Sequence, residues 1–229
     1  MTREQMREIV ARYPRARSAV MPLLHLAQAE EGHVSPQAIV LIAEELGVEP
    51  AEVAAVATFY TMYVRKPGGT HHVGVCTNTL CAVLGGDAIW DALTEELGVG
   101  HHETTDDGTI TLERIECQAA CTHAPSMTVN WEFMDDMTVE GARQLVRDLR
   151  EGREIRSTRG PVISTWRQTE RSLALDDDLF AEGGQADERM LAGLNVARER
   201  GFETPTTVAA LPPAEHTPPA SGDGHGKEH

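Results

Sequence analysis

Long apolar runs are absent from this chain of 229 residues. No stretch of about 18 apolar residues occurs, so we expect no direct insertion into a membrane. The amino terminus opens in a polar, amphipathic pattern and lacks the continuous apolar core of a secretory signal. We therefore predict a soluble protein of the cytoplasm.

Basic residues are also scarce. The chain has 20 Lys and Arg against 36 Asp and Glu, which gives a formal net charge of −16 at pH 7. Such a surface repels phosphate backbones, so we predict no nucleic acid partner. The segment Pro67-Gly68-Gly69 lacks the Lys-Ser/Thr ending of a phosphate loop, and no glycine-rich fingerprint follows a predicted strand. The chain itself is therefore not expected to bind NADH or a flavin.

Cysteine is rare, but the cysteines are paired. Cys76 and Cys81 have four residues between them, and Cys117 and Cys121 have three. Disulfides are uncommon in a reducing cytoplasm, so coordination is the expected role. Four thiolates satisfy either a tetrahedral zinc ion or an iron-sulfur cluster. The spacing suits zinc less well, whereas two loops with one pair each suit a [2Fe-2S] cluster that has one pair on each iron.

Histidines are a second possible set of metal ligands, because imidazole replaces thiolate in Rieske centres. We interpret His71-His72 and His101-His102 as ordinary strand and loop residues. His123 lies just after the second cysteine pair. It is expected to be a neighbour of the metal rather than a ligand, because four thiols complete the set.

Hydrophobic periodicity and turn residues divide the chain into four parts. Residues 1–66 show apolar residues at helical spacing, which predicts a bundle of four short helices. Residues 67–152 have the pattern strand, helix, strands, helix, which predicts an α/β (α+β) domain with helices on a small sheet. Both cysteine pairs follow predicted strands, so we expect them to meet at one end of the sheet. Residues 153–202 form an extension, and residues 203–229 form a tail.

The extension and the tail differ in composition from the rest. Residues 176–188 hold six acids and no base, and residues 203–229 hold five Pro and three Gly. We predict that the tail is disordered, and we expect residues 155–200 to dock onto a partner. A helical stripe predicts a short docking helix in the extension, formed by Met190, Leu191, Leu194 and Ala197.

Arginines recur every three or four residues around the last predicted helix of the sheet domain. This pattern is typical of a solvated helix face, and a docking stripe for an acidic partner is the alternative. The residues are Arg143, Arg147, Arg150, Arg153, Arg156 and Arg159.

Several short segments follow one another in a fixed order. They are Phe59-Tyr60-Thr61-Met62-Tyr63, Pro67-x-Gly69, Val75-Cys76-Thr77-x-x-x-Cys81, Asp107-Gly108 and Glu116-Cys117-x-x-x-Cys121-x-x-Ala124-Pro125-x-x-x-x-Asn130. Together they resemble the thioredoxin-like [2Fe-2S] subunit of respiratory complex I, the E-type or 24-kDa-type family. The resemblance covers roughly residues 5–150.

This resemblance implies a helical bundle followed by a thioredoxin-like [2Fe-2S] ferredoxin domain, with one cluster on Cys76, Cys81, Cys117 and Cys121. It implies an electron-transfer subunit of NADH:quinone oxidoreductase that exchanges an electron with the flavin of the adjacent subunit. FMN and NADH are then expected in that NADH-binding partner, not in this chain. Other subunits of the peripheral arm are further expected partners, on the cytoplasmic side of the cell membrane.

Two alternatives stay open. The same module serves as a diaphorase-type subunit of NAD-linked hydrogenases and formate dehydrogenases. A zinc-stabilised interaction module would use the four thiols without redox activity, although it would favour closer cysteine pairs.

One position departs from the family pattern. The family has Cys-Leu-Gly-Ala-Cys in the second cysteine loop, whereas this chain has Cys117-Gln118-Ala119-Ala120-Cys121. If the central position has a positive φ, Ala119 is strained there by about 1 kcal/mol. All four thiols are kept, so we expect the departure to affect the cluster potential more than cluster binding.

Overall fold

The computed structural model describes residues 1–175 and 187–202, so the predicted disordered tail lies outside the described residues. The chain forms two compact units, Met1–Gln185 and Ala186–His229. The helices are α1 (Arg3–Ala11), α2 (Val20–Glu31), α3 (Pro36–Leu46), α4 (Pro50–Phe59), α5 (Thr79–Val83), α6 (Gly86–Leu97), α7 (Val139–Arg150), α8 (Trp166–Ala174) and α9 (Glu188–Glu199). The strands are β1 (His71–Cys76), β2 (Glu103–Thr104), β3 (Ile110–Ile115), β4 (Met127–Val129) and β5 (Glu132–Met134).

Helices α1 to α4 form the predicted bundle, and a short 3-10 helix, Ala16–Ala19, connects α1 to α2. Thr2 forms a capping box with Gln5 at the start of α1, and Ser35 caps α3. Gly32 and Gly47 end α2 and α3 in the left-handed conformation, with φ of 78° and 65°. The core of the bundle includes Met6, Ile9, Leu23, Leu24, Leu26, Ile42 and Val53.

The strands form one sheet in the order β2-β3-β1-β4-β5. Strand β1 is parallel to β3 and antiparallel to β4. Helices α6 and α7 contact each other and pack on β1 and β3. The mixed α/β architecture is as predicted, and the core of the sheet includes Val73, Val75, Ile89, Leu93, Ile110, Leu112, Leu145 and Val146.

Helix α8 lies in the extension and was not predicted. Thr165 caps it in a capping box with Gln168, and the helix packs along α2. Part of the extension that we expected to dock onto a partner thus docks onto its own chain. The predicted stripe helix is present as α9, where Asp187 caps the first turn.

The six arginines around α7 are all engaged in ion pairs. This agrees with the solvated-face interpretation and leaves no free cation among these six for a docking stripe. The pairs are Arg143 with Glu95 and Glu96, Arg147 with Glu96 and Glu140, Arg150 with Asp107, Arg153 with Asp148 and Glu151, Arg156 with Glu154, and Arg159 with Asp135. Within residues 1–175 and 187–202, no helix has the length and apolarity that a membrane span requires.

Candidate metal centre

Strands β1 and β3 bring the two cysteine pairs to one edge of the sheet. The strands are parallel neighbours, and Cys76 at the end of β1 lies opposite Ile115 at the end of β3. Cys117 follows two residues later. Because parallel strands end at the same edge, both cysteine loops leave the sheet side by side, as the sequence predicted.

The first pair is buried. Cys76 is 1% exposed, and Cys81, on the short helix α5, is 3% exposed. The backbone N–H of Asn78 acts as a hydrogen-bond donor that lowers the pKa of the Cys76 thiol, and Oγ of Ser126 lies 3.8 Å from Sγ of Cys81. This buried pair therefore has two polar neighbours, Asn78 and Ser126.

Gly86, at the start of α6, makes a close approach to the first pair. A Cβ atom at this position would lie 2.5 Å from the carbonyl oxygen of Cys76 and 2.9 Å from that of Cys81. Both distances are shorter than van der Waals contact, so only glycine lets α6 begin this close to the cysteine loop.

The second pair is exposed. The Sγ atoms of Cys117 and Cys121 are 3.7 Å apart. A tetrahedral metal with metal–sulfur bonds of about 2.3 Å holds two thiolates about 3.8 Å apart, so this pair already has the spacing of two ligands on one metal. Ala119, between them, has a positive φ of 56°. A residue with a Cβ atom is strained in this conformation.

The thiols of each pair also affect the pKa of a thiol in the other pair. Burial is the main cause that raises the pKa of Cys76, and the thiols of Cys81 and Cys117 raise it further. A hydrogen bond with Cys117 is the main cause that raises the pKa of Cys121, and Cys81 contributes. Each pair thus influences a thiol of the other. Cys76 and Cys121 therefore resist ionisation until a cation is present, as expected of metal ligands.

A hydrogen bond ties the two loops together. Nδ2 of Asn78, in the first loop, donates to the carbonyl oxygen of Ile115 at the end of β3, at 3.2 Å. The relative position of the two pairs is thereby held by the protein itself.

The four thiols are not arranged around a single point. Among residues 1–175 and 187–202, no group of three or more His, Cys, Asp or Glu side chains is close enough to hold one metal ion. Two pairs, of which the second has the spacing for one metal, fit a centre with two metals better than a four-thiolate zinc site.

The histidines lie apart from this edge or serve as neighbours. His72, in β1, stacks on Trp166 with ring centroids 3.8 Å apart, and burial lowers its pKa to about 4. His101 and His102 lie before β2 in a loop. His123 is buried, with Nδ1 3.3 Å from Oδ2 of Asp136. His71 and His72 thus lie in a strand and His101 and His102 in a loop, as interpreted from the sequence. The role of His123 as a neighbour of the metal stays a prediction.

Exposed apolar side chains flank Cys81 in the sequence of the first loop. Leu80, Val83 and Leu84 belong to α5 or follow it directly, and Val83 is 77% exposed. The sequence reasoning missed these residues, and it also missed Ser126 and Gly86. The spacing of Leu80, Val83 and Leu84 at i, i+3 and i+4 was a usable signal for α5, whereas the contacts of Ser126 and Gly86 depend on the tertiary fold.

Comparison with known proteins agrees with this architecture. The family model for the thioredoxin-like [2Fe-2S] ferredoxin matches residues 6–150, which include the bundle, the sheet and all four cysteines. The chain belongs to the thioredoxin-like [2Fe-2S] ferredoxin family. The expected fold of a helical bundle followed by a thioredoxin-like ferredoxin domain is thus confirmed at the level of the family.

Relatives of this ferredoxin-family chain are named as subunits of one enzyme, NADH-quinone oxidoreductase. The E subunit of that enzyme from Mycobacterium tuberculosis (strain ATCC 25618 / H37Rv) is 53% identical over 206 residues, which cover 89% of this chain and 82% of the relative. The relative named as its second subunit in Thermus thermophilus is 39% identical over 151 residues, 65% of this chain and 83% of the relative.

A solved structure shares the ferredoxin-family fold at low sequence identity. The air-oxidized NAD+-reducing [NiFe]-hydrogenase matches with a TM-score of 0.52 and 18% identity, over 58% of this chain and 23% of the hydrogenase chain. At this identity the match supports the fold alone.

Proposed function

We propose that this chain is the electron-transfer subunit of an NADH-quinone oxidoreductase and carries one [2Fe-2S] cluster on Cys76, Cys81, Cys117 and Cys121. The observation that carries the proposal is the meeting of two cysteine pairs beside the ends of two adjacent parallel strands. The family match and the identity with a named component of that enzyme in Mycobacterium support it.

The chain supplies ligands and polar neighbours for such a cluster. The four thiolates would hold it, and the bound cluster would accept and release one electron at a time. The backbone N–H of Asn78 is a hydrogen-bond donor beside the Cys76 sulfur, and the Ser126 hydroxyl lies 3.8 Å from the Cys81 sulfur. Donors near sulfur favour added negative charge, so these two residues would raise the reduction potential of a bound cluster.

The exposure of Cys117 and Cys121 favours electron exchange with a partner on that side. The partner that we propose is the flavin- and NADH-binding subunit, which supplies FMN and NADH. Leu80, Val83 and Leu84 offer it an apolar contact beside the cysteines. The other proposed partners are peripheral-arm subunits on the cytoplasmic side of the membrane.

The test of this function is metal analysis and EPR spectroscopy of the full chain, purified anaerobically. We expect a red-brown protein with equal amounts of iron and labile sulfide, and an EPR signal after one-electron reduction. A colourless native protein that carries zinc and no sulfide would overturn the proposal in favour of the interaction module. The other subunits that co-purify identify the enzyme complex, because hydrogenase or formate dehydrogenase subunits among them would favour the diaphorase alternative.

A further inference from the structure

The extension after the ferredoxin domain contributes to both hydrophobic cores. Ile155 and Ile163 pack against the core of the sheet. Ala174 is buried in the core of the bundle, and Leu175 packs beside it. Helix α8 runs between these two points and along α2. One continuous segment therefore links the two cores.

The start of α8 is attached to the sheet. The backbone N–H of Trp166 donates to the carbonyl oxygen of Thr70, directly before β1, at 2.8 Å. Nδ2 of Asn130, after β4, donates to the carbonyl oxygen of Ser164 at 2.6 Å. The Trp166 indole also stacks on His72 with an angle of 7° between the rings. These contacts hold α8 against the strand that ends in Cys76.

The middle of α8 is attached to the bundle through a buried carboxylate. Glu170 is 0% exposed. Its Oε2 accepts a hydrogen bond from Nε2 of Gln28 at 2.7 Å and lies 2.6 Å from Nδ1 of His25. Both partners belong to α2. A buried carboxylate needs such partners, so the position of α8 depends on α2.

The same carboxylate also reaches the sheet domain. Nε1 of Trp131 donates to Oε1 of Glu170 at 3.1 Å. Trp131 lies in the two-residue turn between β4 and β5, where Asn130 and Trp131 have φ of 50° and 73°. Such turns favour Asn and Gly, and a bulky residue with positive φ is uncommon. The contact with Glu170 gives a physical reason for tryptophan at this position.

Exposed contacts extend the attachment along α2. Nε of Arg167 donates to the carbonyl oxygen of Ala29 at 2.7 Å, and Arg171 pairs with Glu30 at 3.0 Å. At the far end, Arg12 of the bundle donates to the carbonyl oxygen of Leu175 at 3.0 Å.

We propose that α8 is a clasp that fixes the helical bundle to the sheet domain, with Glu170 joining α2 to the turn between β4 and β5. The family model ends at residue 150 and does not include α8. A match over 89% of this chain necessarily includes it, so the Mycobacterium relative aligns with the clasp. The clasp holds the bundle in one orientation toward the strand that delivers Cys76.

Hydrogen exchange of the full chain, followed by mass spectrometry, tests the clasp. In Glu170→Ala the donors on α2 lose their acceptor, so we expect amides of α2 and α8 to exchange roughly tenfold to a hundredfold faster. Amides of β3 should keep their rates. Glu188→Ala, on α9 in the other compact unit, is the control and should leave α2 unchanged. Wild-type exchange in α2 and α8 of Glu170→Ala would refute the clasp.

A milder variant covers the case in which Glu170→Ala does not fold. Trp131→Phe keeps a large ring and removes the N–H that reaches Glu170. Because the clasp couples the sheet to the bundle, we expect faster exchange in α2, on the order of several-fold. If α8 is only surface packing, faster exchange will be confined to the turn around Trp131, and that result rejects the proposal.

Discussion

The two cysteine pairs have opposite surroundings. Cys76 and Cys81 are buried beneath α6, close to Asn78 and Ser126. Cys117 and Cys121 are exposed on a loop whose central residue has a positive φ. The first pair is thus the half of the site that is held by packing. The second half is open to a partner and is shaped by local backbone conformation.

The largest expected effect comes from removing one thiol from either half. Cys81→Ser and Cys117→Ser should both lose or strongly perturb the cluster, since each leaves one metal a thiolate short, and Cys117→Ser should also weaken retention of the partner subunit. Iron and sulfide analysis measures the loss. His123→Gln is the control and should keep full iron content. Unchanged iron in Cys117→Ser would remove Cys117 from the ligand set.

Adding one methyl group tests the packing of the first half. Gly86→Ala places a Cβ 2.5 Å from the carbonyl oxygen of Cys76, so α6 or the cysteine loop must move. We expect the free energy of unfolding to fall by about 1–3 kcal/mol, measured by urea denaturation, with lower iron retention. Gly193→Ala meets no atom within 4 Å and should retain iron fully. Equal iron loss in both variants would contradict the role of Gly86.

Strand β3, which leads to Cys117, contains a buried carboxyl group. Burial raises the pKa of Glu113 from 4.5 to about 7, even though His102 lies 3.4 Å away. His102 is exposed, so we regard burial as the stronger influence. The neutral carboxyl stabilises the fold fully below pH 4.5, and this contribution is lost as the pH rises through 7.

Glu113→Gln should therefore flatten the pH dependence of stability between pH 4.5 and 7. At pH 8 the variant should be more stable than the wild type, by up to about 3 kcal/mol. Urea midpoints at pH 5 and pH 8 measure this difference. If the wild type instead gains stability relative to Glu113→Gln between pH 5 and pH 8, the predicted direction of the pH dependence is wrong.

The smallest expected effect on stability comes from Ala119→Gly in the second half. Glycine relieves about 1 kcal/mol of strain at φ 56°, but it also gives the unfolded chain more freedom, which offsets about 0.4–1 kcal/mol. Stability and iron content should hardly change, whereas the reduction potential should shift, as measured by EPR-monitored redox titration. Ala120→Gly, at φ −89°, is the matched control. If Ala119→Gly loses iron while the reduction potential of the remaining cluster is unchanged, this prediction is wrong.

Much of the site was predictable because its components are local in sequence. The alternation of Ile110 and Leu112 with polar residues is enough to predict β3, and the helical spacing of Ile89, Leu93 and Leu97 is enough to predict α6. Because the strands end next to the cysteines, the meeting of the two pairs followed from the order of elements. The family pattern raised a positive φ at Ala119 as a condition for strain, and the structure meets that condition.

Other features could not be predicted from local patterns. Strands β2 and β5 have two and three residues, too few to show a period. Helix α8 has polar or charged residues at six of its nine positions, and its buried Glu170 is 145 residues from His25. No local signal identifies a carboxylate that is stabilised by such distant donors.

By itself, the sequence determined the mixed α/β class, the pairing of the cysteines and the edge of the sheet to which they come, because capping, periodicity and spacing act within short segments. Only the tertiary structure decided which cysteine pair is buried and how Glu170 joins the bundle to the sheet. It also decided that α6 must begin with glycine at Gly86, beside the first cysteine pair. Burial is a property of distant segments packed together, so the same residue types acquire different chemistry at different places in the fold.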